Sequence, residues 1–149
     1  MANILIYALH YEGAINKNSL GAVSEGARLA GELGGEAHAI LVGEAVPDEL
    51  AASLGAHGAS KALVAEGPEG LAQPVVDAMA KAISDGDYRY ALFGGGLLGF
   101  EIGAGLAARL DAARSSTRRG VSSPRRTCTR SSRACGSISV IPPPIRSAI

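Results

Sequence analysis

Tyr90–Ala112, YALFGGGLLGFEIGAGLAARLDA, places a strand, a glycine turn and a helix in immediate succession. Tyr88 to Phe93 has the length and apolar character of a buried strand, and it runs straight into three glycines. Phe100 to Leu110 then reads as a helix, with Phe100, Ala104 and Ala107 expected along one face. A strand delivered through a tight turn into a helix is half of a βαβ unit, so the fold depends on whether that pattern repeats.

Upstream it repeats three times. Asn3 to Leu9 is an apolar run at the start of the chain, followed by a loop around Gly13 and Asn18. Leu20, Val23, Ala27 and Ala30 mark one face of a first helix, which Gly34 and Gly35 end. EAHAILVG (36–43) is the second strand. Pro47, Asp48 and Glu49 suit the first turn of a short helix ending near Gly55, because proline loses no hydrogen bond there and carboxylates meet the positive end of the dipole. SKALVAEG (60–67) is the third strand, and Val75, Met79 and Ile83 mark a third helix with Pro74 near its start. Strands alternating with helices in this way predict an α/β fold: a doubly wound parallel sheet with helices on both faces.

A further strand is due soon after Leu110, and none is read there. ARSSTRRGVSSPRRTCTRSS (113–132) lacks alternation, and SVIPPPIRSAI (139–149) is interrupted by three prolines that cannot join a central ladder. The final strand is therefore expected to be missing, which divides the chain into an α/β domain, 1–112, and an Arg/Ser/Pro-rich tail, 113–149. Charge divides at the same point. All fourteen acidic residues lie between Glu12 and Asp111 beside six basic ones, a net charge of −8, whereas the eight basic residues from Arg114 to Arg146 are all arginine. Cys128 and Cys135, both in the tail, match no zinc spacing and read as free thiols.

Other function classes find little support. No apolar run approaches the roughly 20 residues that span a bilayer, and the first residues lack the pattern of a signal peptide. A cytoplasmic protein without membrane contact is expected. The tail arginines could neutralise phosphates, but neither lysine nor aromatic side chains for base stacking accompany them, so no nucleic-acid partner is expected.

Gly94, Gly96 and Gly99 fit G-x-G-x-x-G, and with Gly95 they form the candidate cofactor-binding turn. One reading is an anion held at a helix N-terminus; the other is a turn whose glycines let strand and helix approach closely. No Walker lysine is present, and no acidic residue ends a strand about 20 positions later to hold a ribose. His10, His38 and His57 share no metal-ligand spacing. His38 reads as a hydrogen-bonded strand residue, and His10 as part of a solvated loop just beyond the first strand. Asp85 and Asp87 read as solvated turn residues. No nucleophile has an identifiable base, so no catalytic residue and no metal are assigned.

Three stretches resemble the N-terminal domain of the electron transfer flavoprotein alpha subunit: ILIYALHYEGAINKNSLGAVSEGARLAGELGGEAHAILVG (4–43), ELAASLGAHGASKALVAEG (49–67) and the opening segment, collinear from about Asn3 to Ala112. Gly95 and Gly96 stand where the family has Ala-Thr, and Phe100-Glu101 where it has Arg-Asp. The resemblance implies a Rossmann-like three-layer domain of the adenine nucleotide alpha hydrolase kind. It implies a non-enzymatic scaffold in a heterodimer with a beta subunit, carrying electrons from acyl-CoA or other flavin dehydrogenases. FAD belongs to the complete heterodimer and is not expected on this chain alone. The family has a further apolar strand after the last helix, and a shifted reading frame over 114–123 with GC-rich codons would restore one, which reads the tail as out of frame. The alternative is a free-standing nucleotide-binding domain of the universal-stress-protein type, using the Gly94–Gly99 turn for phosphate.

Overall fold

The computed structural model describes residues 2–112, together with the backbone of 115–118 and 137–141. Its elements in chain order are β1 (Asn3–Tyr7), β2 (His10–Tyr11), β3 (Ala14–Ile15), α1 (Lys17–Leu33), β4 (Ala37–Val42), α2 (Asp48–Ala56), β5 (Lys61–Ala65), α3 (Ala72–Asp85), β6 (Tyr88–Phe93), α4 (Leu97–Leu110), β7 (Ser115–Arg118) and β8 (Ser137–Ile141). β2 and β3 form a small antiparallel hairpin that the sequence pattern did not signal. The main sheet runs β5-β4-β1-β6-β8-β7. Its first four strands are parallel, with β1 held between β4 and β6.

β1 shows why the sheet must be covered on both faces. Ile4, Ile6 and Ala8 point one way, into a cluster with Ala22, Val23 and Ala30 of α1 and Leu54 of α2. Leu5 and Tyr7 point the other way, against Val75, Val76 and Met79 of α3 and Ile102 and Leu106 of α4. Alternate side chains leave opposite faces of a strand, so an uninterrupted apolar run needs a helical layer on each side. Each fully buried Ile, Leu or Val contributes roughly 1.5–3 kcal/mol relative to exposure. The doubly wound α/β architecture is thus present.

Local signals set the helix ends. Asn16 caps α1, its side chain accepting from the Asn18 N–H at 2.9 Å, and Gly34 closes it in the left-handed conformation at φ 66°. Asp48 and Glu49 occupy the first turn of α2, and Pro74 that of α3. α4 differs from its expected form. It begins at Leu97, and its buried residues are Ile102, Gly103 and Leu106, whereas Phe100 is half exposed and Ala104 is exposed. Turning Ile102 and Leu106 inward buries two large aliphatic side chains, which outweighs one Phe accompanied by two alanines.

The edge beside β6 also departs from expectation. The parallel part of the sheet does end at β6, but that edge is not left open. β8 pairs antiparallel with it, Ala91 opposite Ile141 and Phe93 opposite Ser139, and β7 pairs with β8. SISVI ends just before the first of the three prolines, so they follow the ladder rather than interrupt it. The readings of the rest of the tail, including the thiols Cys128 and Cys135, lie outside the described residues.

α1 approaches the sheet through Gly26, where an added Cβ would lie 2.5 Å from Ile6 Cδ1, whereas Gly31 on the same helix has nothing within 4 Å. Gly26→Ala is expected to lose about 1–3 kcal/mol through overpacking, and Gly31→Ala to gain up to about 1 kcal/mol from helix propensity. Urea unfolding of the two variants checks the opposite signs.

Candidate functional site

The chain leaves β1 toward β4 on one side and later returns to β6 on the other, so the sheet reverses direction between β1 and β6. Open α/β sheets bind ligands outside the carboxyl ends of strands at such a reversal. Here the crevice lies between the segment after β1, the start of α1, and the Gly94–Gly99 turn.

The first turn of α1 packs directly on its Gly94 side. A Cβ on Gly94 would sit 2.9 Å from Asn18 C and Ser19 N. Asn18 Nδ2 donates to the Gly95 carbonyl at 2.9 Å, and the Leu9 N–H donates to the buried Ser19 Oγ at 3.0 Å. The Asn16 N–H donates to the Leu9 carbonyl at 2.8 Å, which brings the hairpin back beside β1. A Cβ on Gly99 would meet the Gly94 carbonyl oxygen at 2.3 Å. Gly94 and Gly99 are thus accounted for by close backbone approach. Gly96, the N-cap of α4, has φ 152° and ψ 170°, a conformation open essentially to glycine alone, with open space around its Cβ position. Of the four glycines named from sequence, Gly95 contributes a carbonyl to the α1 contact.

At Gly94 the α1 backbone stands where a dinucleotide's pyrophosphate would need a gap, so no chemistry is routed through a flavin at this glycine. Apolar side chains lie exposed along the same carboxyl edge: Leu97 at 94% exposure, Tyr11 and Phe100.

A second cluster lies beneath the hairpin. His10 is buried rather than solvated, and its Nε2–H donates to the Val42 carbonyl at 3.1 Å. A carbonyl can only accept, which fixes the proton on Nε2 and leaves Nδ1 facing Glu69 Oε1 at 3.8 Å. Glu69 reaches back from the loop between β5 and α3. Burial, with the Glu69 charge second, pushes the Tyr7 hydroxyl up to about 12. Sequence reasoning missed this cluster because its contacts join residues 32 or more apart, and no local pattern encodes them.

His38 is a hydrogen-bonded strand residue as read, joined to Tyr88 and Glu36. Asp85 and Asp87 are exposed. Away from the crevice, a groove of about 490 Å³ is lined by Asp77, Lys81, Ser84 and Arg109, with Arg109 ion-paired to Asp77 across α3 and α4. Among the described residues no cluster of three His, Cys, Asp or Glu could hold a metal, and no helix is long and apolar enough to cross a membrane.

The sequence profile of the electron transfer flavoprotein domain matches residues 4–140. The chain belongs to the electron transfer flavoprotein family. Its match extends past Ala112 into the arginine-rich segment. Among curated proteins, the acryloyl-CoA reductase electron transfer subunit beta of Anaerotignum propionicum is 34% identical over 112 residues, covering 72% of this chain and 30% of the relative. The chain thus spans under a third of that relative's length. This relative corrects one expectation. It is itself titled a subunit beta, which conflicts with reading this chain as an alpha subunit partnered by a beta subunit.

Because the Tyr7 hydroxyl is held above its ordinary 10.0 in the folded chain, the stabilisation it reports is complete below pH 10 and is lost as pH rises toward 12. Over that interval the native protein is expected to lose up to about 2–3 kcal/mol at this one group. Urea unfolding between pH 9 and 12, expected to fall less steeply for Tyr7→Phe than for the unmodified chain, checks the assignment.

Proposed function

We propose that this chain is the α/β scaffold domain of one subunit of a heterodimeric electron transfer flavoprotein, a carrier of electrons from flavin dehydrogenases rather than an enzyme. The observation that carries the reading is the family match over residues 4–140 on a domain whose first helix packs directly on the Gly94 turn. A turn packed directly on the first helix suits a rigid platform. On this reading the flavin is held by the remainder of the complete carrier, with this domain contributing shape and an apolar edge. No catalytic step is assigned to its residues. His10 ties the hairpin to the end of β4 through its bond to the Val42 carbonyl, which helps keep that edge in one conformation.

Incubated with excess FAD and then desalted, the isolated chain is expected to emerge without flavin absorbance. Stoichiometric flavin on the isolated chain would contradict the scaffold reading.

A further inference from the structure

The large hydrophobic side chains left exposed are not spread evenly over the domain. Among the described residues they are Tyr11, Leu33, Val64, Leu71, Leu97 and Phe100. Four of these six follow the carboxyl ends of parallel strands: Tyr11 in the hairpin after β1, Leu71 in the loop after β5, and Leu97 and Phe100 in the first turn of α4 after β6. α3 and α4 pack side by side, so Leu71, just before α3, and Leu97 stand at neighbouring helix starts over one face of the sheet. Single exposed apolar residues are ordinary, whereas several gathered on one edge mark a surface that another body covers.

Charge on that edge is mostly of one sign. The loops that follow the four parallel strands, 8–16, 43–47, 66–71 and 94–96, hold Glu12, Glu44, Glu66 and Glu69 and neither lysine nor arginine. Of the helices that start there, α1 brings Lys17 and α2 brings Asp48 and Glu49, so the surround stays acidic. The complement of such a surface is an apolar patch flanked by Lys and Arg. The hairpin that carries Tyr11 is set before any contact is made. The Asn16 N–H bonds the Leu9 carbonyl at its base, and Glu12 at its tip is held at φ 50°, a left-handed conformation that side-chain-bearing residues seldom adopt. A turn fixed in this way has little left to order on association.

The matched residues make up 30% of the acryloyl-CoA reductase electron transfer subunit, so 70% of that protein lies outside them. Within one polypeptide that larger portion is tethered to its own counterpart of this domain, which keeps its effective concentration high against any apolar face the domain offers. We propose that the carboxyl edge is the surface on which the remainder of the carrier docks. Leu97 and Phe100 are its anchors, Tyr11 and Leu71 flank them, and the four loop glutamates steer a basic rim on the incoming surface. The proposal rests on the scaffold reading and adds to it the face and the residues that make the contact.

The probe is the part of that relative outside the 112 matched residues, produced separately and titrated against the full chain by biolayer interferometry. Saturable binding is expected, with an association rate that falls as salt screens the glutamates. Leu97→Ser and Phe100→Ser are each expected to weaken it about tenfold or more, as truncation of a central anchor does. Leu33→Ser, at the end of α1 and so on the opposite edge, is expected to leave it within about twofold. Hydrogen exchange on the unmodified chain, which needs no variant to fold, is expected to show protection gained at 8–16 and 94–100 when the probe binds. No saturable binding, binding indifferent to Leu97→Ser, or protection gained at the amino edge instead overturns the proposal. Those outcomes leave the scaffold reading standing, which fails separately if the isolated chain retains flavin.

Discussion

Gly94 lies so close to the first turn of α1 that a single added carbon would fall 2.9 Å from its backbone. That approach decides how the rest of the molecule is used. It brings the strand–turn–helix unit of β6 and α4 against the start of the first such unit, at the one place where the sheet reverses. Asn18 and Ser19 then complete the contact through Gly95 and Leu9. The contact forms a joint between the two halves of the domain. At Gly94 itself the approach leaves no room between the turn and the α1 backbone.

The joint is supported by the core. β1 contributes to both apolar clusters, and it is the strand after which the α1 contact forms. Displacement of α1 would therefore uncover Ile6 and Leu92 together with the crevice, so the joint and the α1 layer are expected to open as one cooperative unit. Surface ion pairs such as Arg28 with Glu25 and Glu32, or Asp77 with Arg109, are exposed and add little to this.

The alternation of apolar runs and helical faces was enough to place every parallel strand and every helix, because burial on both sides of a sheet imposes periodicities that survive in one sequence. Phe100 and the strand before Pro142 were misread for a shared reason. In each case one strong local feature, an aromatic ring or a run of prolines, was allowed to outweigh neighbours that bury more area or pair first. The glycine turn was legible as a turn, but its occupant was not, since the partner of Gly94 lies on a helix far away in sequence. His10 and Glu69 were hidden by the same distance. His38, by contrast, was read correctly because its place within a strand already required hydrogen-bonded surroundings for a polar ring.

In this chain of the electron transfer flavoprotein family, the contact of α1 with the Gly94 turn is the feature on which the proposed scaffold role rests. Native-state hydrogen exchange at the Leu9 amide, the donor to Ser19 Oγ, addresses this most directly. Protection approaching that of the β1 core, unchanged by added FAD or ATP, is the predicted result. Rapid exchange at Leu9, or protection that appears only when a nucleotide is added, would contradict that contact and the scaffold role built on it.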